Sequence, residues 1–315
     1  MQITETIKKL VSEGKADRVF GWKKGELGFD TEPALFTENF DSVVYDGLCG
    51  ANLCKYMINE TKNDGTVLLL LKPCDSRGLQ LLTKEHRVRR ERIYALGVPC
   101  RGKIDVDKIS AQGIKGITDI RENGDTLTVV TLYGEHTVSR KEVLYEKCLS
   151  CVGKEHVGCD EVLSPELSED TTVNDRFAGV TALEEKNPEE RFAFWRSQLS
   201  KCIRCNACRN VCPACSCVKC IFDNPSSGMD SKANADDFEE NLYHIIRSFH
   251  VCGRCTDCGE CSRVCPEKIP LHLLNRKYIK DIRELYGDGD EAALLTFTKD
   301  DAEPSVVCER GECHA

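Results

Sequence analysis

The chain has 315 residues, 21 of them cysteine, with 30% charged side chains and a formal net charge of -9. That acidic balance excludes a role resting on phosphate neutralisation, so no nucleic-acid partner is expected, and no apolar run approaches the roughly 18 residues of a membrane-spanning helix. A chain this long can build a core of its own, so the cysteines are not explained as the staples that small secreted domains require.

The opening MQITETIKKLVSEGK predicts a short amphipathic helix with Ile3, Ile7, Leu10 and Val11 on one face. It lacks the apolar core and cleavage site of a signal peptide, and the expected location is the cytoplasm. Thiols there are kept reduced, which turns the expectation toward metal or catalysis. Next, in GLCGANLCKYM, Cys49 and Cys54 read as core residues. TVLLLL, KPCDSRG and LQLLTKEHRV then predict a buried strand, a tight turn and a helix, and RIYALGVPCRG predicts a second strand ending in another cysteine turn. Cys74 and Cys100 thereby fall just beyond strand ends, where open α/β sheets build their sites. DTLTVVTLYGEHTV alternates like a hairpin around Tyr133-Gly134. EKCLSCVGKEHVGCD adds Cys148 and Cys151 in a C-x-x-C pair, with Cys159 as a spare.

These elements predict an α/β domain over residues 1–165, followed by an acidic linker over 166–187. Asn187-Pro188 then opens a helix, PEERFAFWRSQLSKC. It runs into a first cysteine run, a polar loop NPSSGMDSKANADD, and a helix with Phe238, Leu242, Ile245, Ile246 and Phe249 as one apolar stripe. After a second run, Pro270 starts a helix through Leu271, Leu274, Tyr278, Ile282 and Leu285 that stops at Gly287. The expected class is α+β, the N-terminal α/β domain being followed over 188–290 by a helical, ferredoxin-like domain built around metal. A tail over 291–315 carries Cys308, Cys313 and His314.

Residues 202–213, CIRCNACRNVCP, and 255–266, CTDCGECSRVCP, both match C-x-x-C-x-x-C-x-x-x-C-P. In two-cluster ferredoxins the fourth cysteine of each such run ligates the other cluster. A cubane needs four thiolates around a compact core; three come from one wrapping loop and the fourth arrives from elsewhere. The pattern therefore assigns Cys202, Cys205, Cys208 and Cys265 to one 4Fe-4S cluster, and Cys255, Cys258, Cys261 and Cys212 to another. Paired zinc ribbons would leave the third cysteine and the C-P step unexplained. Cys215, Cys217 and Cys220 remain, either as part of a further metal site, with Cys252 as a fourth member, or as small buried packing residues. Lys201, Arg204, Arg209 and Lys219, with no acid among them, suit an anionic partner or offset thiolate charge. No Ser-His-Asp or paired-carboxylate arrangement is present, and no catalytic residue is expected.

At KPCDSRGLQLL, GVPCRG and CLSC the chain resembles known families. The dicluster half looks like the iron–sulfur subunits of two enzymes, the beta subunit of sulfhydrogenase being one, with its counterpart in anaerobic sulfite reductase the other. The cysteine order of the N-terminal half is similar to the beta subunits of deazaflavin-reducing hydrogenases and formate dehydrogenases, although the dicluster domain is C-terminal here. By position that resemblance implies Cys74, Cys100, Cys148 and Cys151 as ligands of a third 4Fe-4S cluster near a flavin. No G-x-G-x-x-G follows a strand, so an FAD site rests on the helix start at PCDSRG, with Arg77 offering charge to a phosphate.

The resemblance implies an electron-transfer subunit of an anaerobic oxidoreductase of hydrogenase, formate dehydrogenase or heterodisulfide-reductase type. It would relay single electrons among flavin- or metal-containing subunits of a hetero-oligomeric complex, with ferredoxin as a further partner. Two other readings stay open. One is an FAD-containing catalytic beta subunit exchanging hydride with a soluble deazaflavin or nicotinamide carrier. The other is a zinc-binding scaffold module.

Overall fold

The computed structural model describes residues 2–151, 155–163, 175–224 and 237–287. Two units emerge, one made of residues 1–77 and 88–174, the other of 78–87 and 175–315. The tail cysteines Cys308 and Cys313, His314 and most of the polar loop between the cysteine runs lie outside the described residues.

In the first unit the strands are β1 Arg18–Lys24, β2 Thr31–Phe36, β3 Val67–Leu71, β4 Ile93–Gly97, β5 Ile117–Asn123, β6 Thr126–Thr131, β7 Gly134–Ser139 and β8 Glu161–Val162. Five make a mixed sheet in the order β2-β1-β3-β4-β8. Its β1, β3, β4 and β8 are parallel neighbours, and β2 runs antiparallel at the edge. Every side chain of β3 has zero exposure, as expected of a central parallel strand covered on both faces. The N-terminal helix Gln2–Ser12 buries Ile7 and Leu10.

The expected hairpin is present as β6 and β7, and β5 adds a third antiparallel strand to it. This small sheet buries Ile120, Leu127, Val129 and Val138 against Ile104, Ile109 and Val143. Charged residues at Asp119, Arg121 and Glu122 hid β5 from a reading based on apolar alternation.

After β3 the chain enters the helix Pro73–Lys84 directly, so Cys74 sits in the first helical turn rather than in a separate turn before it. Proline tolerates that start because its missing N–H has no intrahelical partner to lose. Asp75 follows at the positive end of the helix dipole.

The second unit is helical among the described residues: Ala178–Glu184, Pro188–Leu199, Asp237–Val251 and Leu271–Tyr286 are its longer elements. Asn187 caps the second of these through a complete capping box with Glu190, and Pro188 occupies the first turn. Glu85, in the segment 78–87, is buried and takes hydrogen bonds from Arg254 Nη2 at 2.7 Å and Ser216 Oγ at 3.1 Å. No helix among the described residues is long and apolar enough to cross a membrane.

Two expectations change here. The stretch read as an acidic linker contains the helix Ala178–Glu184, fastened to Leu271–Tyr286 by Glu184–Lys277 at 2.7 Å and by a Glu184–Lys280 pair. Tertiary contacts of this kind, invisible to local periodicity, stabilise a helix too short to stand alone.

The apolar stripes are also only partly the buried faces. Asp237–Val251 buries Tyr243, His244, Arg247, Ser248 and Val251, and leaves Ile245 and Phe249 exposed. Leu271–Tyr286 buries Leu271, His272, Asn275 and Arg276 and exposes Leu285. In both helices polar side chains take the inward positions that a hydrophobic core would otherwise fill.

Candidate metal centres

The two cysteine runs fold into matching loops. In the first, Arg204 and Asn206 flank Cys205 with left-handed φ of 54° and 60°; in the second, Asp257 and Gly259 flank Cys258 with φ of 52° and 64°. Only glycine takes this conformation without strain, so three of the four positions store about 1 kcal/mol or more each. The geometry turns backbone N–H groups and thiols to the same side. Arg204 N donates to Cys202 Sγ at 3.3 Å, and Asp257 N donates to the equivalent Cys255 sulfur.

Each loop is braced from outside. Arg176 Nε and Arg276 Nε donate to the two oxygens of Asp257 at 2.9 and 2.8 Å, all three side chains being at least nine-tenths buried. In the first loop Tyr243 Oη donates to Asn206 Oδ1 at 2.7 Å, and the Arg204 guanidinium lies over the Tyr243 ring.

The loops form two cavities. One is lined by Cys202, Cys205, Cys208 and Cys265 together with Tyr243 and His244. The other is lined by Cys212, Cys255, Cys258 and Cys261 together with His272 and Asn275. In each case three cysteines come from one run and the fourth from the other. Asn275 Nδ2 donates to Cys261 Sγ at 3.8 Å.

The surroundings fit a group that carries its own positive charge. Burial pushes the thiols of Cys208 and Cys255 above their ordinary value and that of Cys261 to about 11. These thiols do not ionise near neutral pH without a metal to displace the proton. Cys212 is the exception: the Cys215 thiol donates to its sulfur and, with Arg247 adding a positive field against the effect of burial, brings it below its ordinary value. His244 lines the first cavity with 1% exposure and neither ring nitrogen hydrogen-bonded. An imidazole buried without partners marks a place where a further acceptor belongs.

Sequence reasoning did not find His244, Arg247, Asn275 or the Arg176–Asp257–Arg276 clamp. Its signal was apolar periodicity, whereas His244, Arg247, Asn275 and Arg276 are polar groups on inward helix faces, and Arg176 and Asp257 lie in loops.

In the first unit the structure brings Cys74, Cys100, Cys148 and Cys151 into one neighbourhood. Cys74 follows β3, Cys100 follows β4, and Cys148 lies in the helical turn Glu146–Leu149. Cys100 is in electrostatic reach of both Cys74 and Cys148, and Cys148 of Cys151. All four are half-buried. Burial raises Cys74 well above its ordinary value and Cys148 to about 11, with Lys147 pulling both down. Lys103 N donates to Cys148 Sγ at 3.3 Å. Arg77 is half-buried on the helix that carries Cys74, one turn further along.

The remaining cysteines take other roles. Cys49 and Cys54 are fully buried, as expected, and the Cys54 thiol donates to Asp75 O at 2.8 Å. Cys215 packs with Leu81, Ala214, Val251 and Cys212. Cys220 hydrogen-bonds the Arg209 side chain, and Cys217 is exposed. Among the described residues no three His, Cys, Asp or Glu side chains are grouped to hold a single metal ion.

Residues 198–269 match the family described as the 4Fe-4S dicluster domain. The chain carries a 4Fe-4S dicluster domain. Its two cavities lie within the matched span. Over 90% of both sequences the chain is 23% identical to the F420-dependent formate dehydrogenase subunit beta of Methanocaldococcus jannaschii. It is 24% identical to the F420-dependent formate dehydrogenase 1 subunit beta of Methanococcus maripaludis, over 70% of this chain and 73% of that one. It therefore resembles these formate dehydrogenase beta subunits well beyond the dicluster domain. One chain of the F420-reducing [NiFe] hydrogenase complex of Methanosarcina barkeri aligns at 12% identity with a TM-score of 0.39, covering 63% of this chain and 84% of that one.

Proposed function

We infer that this chain is the iron–sulfur electron-transfer subunit of an oxidoreductase complex. The observation that carries the reading is the crossed arrangement of the two runs, three cysteines of one and the fourth of the other around each cavity. Cys202, Cys205, Cys208 and Cys265 hold one 4Fe-4S cluster, and Cys255, Cys258, Cys261 and Cys212 the other. Such clusters supply reversible one-electron storage. The protein's own part is to hold the thiolates, exclude water and donate hydrogen bonds to sulfur, as Arg204 N, Asp257 N and Asn275 do.

A third cluster at Cys74, Cys100, Cys148 and Cys151 is supported by the position of Cys74 and Cys100 beyond neighbouring strands, by the nearness of Cys100 to Cys148 and of Cys148 to Cys151, and by Lys147 beside them. Similarity to the formate dehydrogenase beta subunits favours partner subunits bearing a flavin or metal site. Cys205 and its neighbour Ile203 are exposed at the rim of the first cavity, which suits close approach of a redox partner there.

The test is the iron, acid-labile sulfide, zinc and flavin content per chain of protein purified without oxygen. About eight irons with matching sulfide are expected from the two runs, and about four more from the first unit. Serine at Cys74, Cys100, Cys148 and Cys151 together removes the latter four alone. Zinc without sulfide would establish a scaffold module instead, and stoichiometric FAD with substrate turnover by the isolated chain would establish the catalytic reading.

A further inference from the structure

We propose that Arg247 is a cation shared by the two clusters of the dicluster domain, a positioning residue that holds the reduction potentials of both upward. The proposal rests on the two-cluster reading above and goes beyond it by naming the residue that links them.

Arg247 lies on the inward face of Asp237–Val251, one turn after His244, and is 2% exposed. Its Nη2 donates to Cys208 O at 3.1 Å, so the guanidinium is anchored on the loop of the first cavity. Its Nε has no hydrogen-bond partner among the described residues. Packing brings the second site to it as well: Cys208 shares one buried cluster with Cys261, and Val251, one turn after Arg247 on the same helix, packs with Cys212 and Cys215. The charges acting on the guanidinium include sulfurs of both sites, Cys208 of the first and Cys212 and Cys261 of the second.

An unpaired guanidinium in the interior is strongly unfavourable, and proteins bury one only against compensating negative charge. Among the described residues no carboxylate pairs with it. Eight cysteine thiolates around two clusters supply the compensation, because their summed charge outweighs that of the iron–sulfur cores. Each reduction adds a negative charge to a cluster, and a fixed cation nearby in a medium of low dielectric makes that addition easier. One cation close to the sulfurs of both sites acts on both clusters.

The experiment is an anaerobic redox titration of the full chain, followed by electron paramagnetic resonance, for the unsubstituted protein, Arg247→Gln and Arg247→Lys. Iron and sulfide counts of the unsubstituted chain are taken first, so that failure of the two-cluster reading is seen separately. Arg247→Gln is expected to lower both midpoints, by about 59 mV if each cluster's electron affinity falls tenfold. Arg247→Lys, which keeps the charge and loses the fork, is expected to stay near the unsubstituted values. A shift in one midpoint only, no shift, or equal shifts in both variants would overturn the proposal. If Arg247→Gln loses iron while Arg247→Lys keeps it, the charge itself holds the clusters and the proposal stands. Loss in both variants would assign Arg247 to the hydrogen bond with Cys208 O and overturn it.

Discussion

Asp257 joins a strained backbone to a buried charge network. Its left-handed φ sits between Cys255 and Cys258, and its carboxylate accepts from Arg176 and Arg276 at once. Asp257→Ala removes the buried carboxylate that both arginines pair with, a loss of about 3–5 kcal/mol for a broken interior pair. The second-run cluster is expected to bleach first in this variant, and iron content with spectra resolved for each cluster checks the order; simultaneous loss would disconnect the clamp from that loop. In the first unit His156 Nε2 faces Leu71 O at 3.0 Å and Val98 O at 3.1 Å, so the proton resides on Nε2 and the ring bridges the ends of β3 and β4. Burial lowers its pKa, outweighing the two carbonyls that act the other way. A depressed base is protonated first in the unfolded chain. Its contribution is therefore complete above the unfolded value of about 6.5 and declines as pH falls below it. His156→Gln can still donate to the carbonyls but does not titrate. Hydrogen exchange of β3 and β4 amides, corrected for intrinsic rates, should lose protection between pH 7.5 and 5.5 more steeply in the native chain than in this variant; equal slopes would clear His156 of the effect.

Elements show where a sequence is transparent and where it is not. Asn187 was legible as a helix start because a cap, a proline and a glutamate three residues on are local chemistry, and the capping box is complete. Asn187→Ala is expected to weaken that helix by about 1 kcal/mol, visible as faster exchange at the amides of Glu190 and Arg191 and unchanged exchange in β3. The strand VLLLL and the position of Cys74 and Cys100 just beyond β3 and β4 were equally legible, since apolar runs and breakers act within a few residues, although Cys74 lies in the helix Pro73–Lys84 with no separate turn before it. The inward faces of Asp237–Val251 and Leu271–Tyr286 were not. Periodicity analysis assigns the apolar stripe to the core, and here the interior contains cysteine cavities that draw Tyr243, His244, Arg247, Asn275 and Arg276 inward. The four cysteines that line each cavity were readable from spacing, whereas the polar groups around them depend on which helix turns which face inward.

Across the whole molecule the cysteines sort by environment into classes that a single chemical footprint separates. Thiolate character and access govern alkylation, so a cysteine reacts with iodoacetamide only when it is both reachable and free of metal. Cys205 and Cys217 are the two exposed cysteines among the described residues, and they differ in place: Cys205 lines the first cavity, whereas Cys217 lies outside both. In protein loaded and handled without oxygen, Cys217 is therefore expected to label while Cys205 stays protected. Removing iron with a chelator should expose Cys205 to the reagent and leave the labelling of Cys217 unchanged. The half-buried set Cys74, Cys100, Cys148 and Cys151 should lose protection together, as members of one site do. Cys49 and Cys54, fully buried against Val44, Asp46 and Asp75, should stay silent until the unit unfolds. Peptide mass spectrometry reads every one of these positions in the same sample. Labelling of Cys205 at one rate with and without iron would remove it from the ligand set, and protection of Cys217 that chelation reverses would place it at a further metal site.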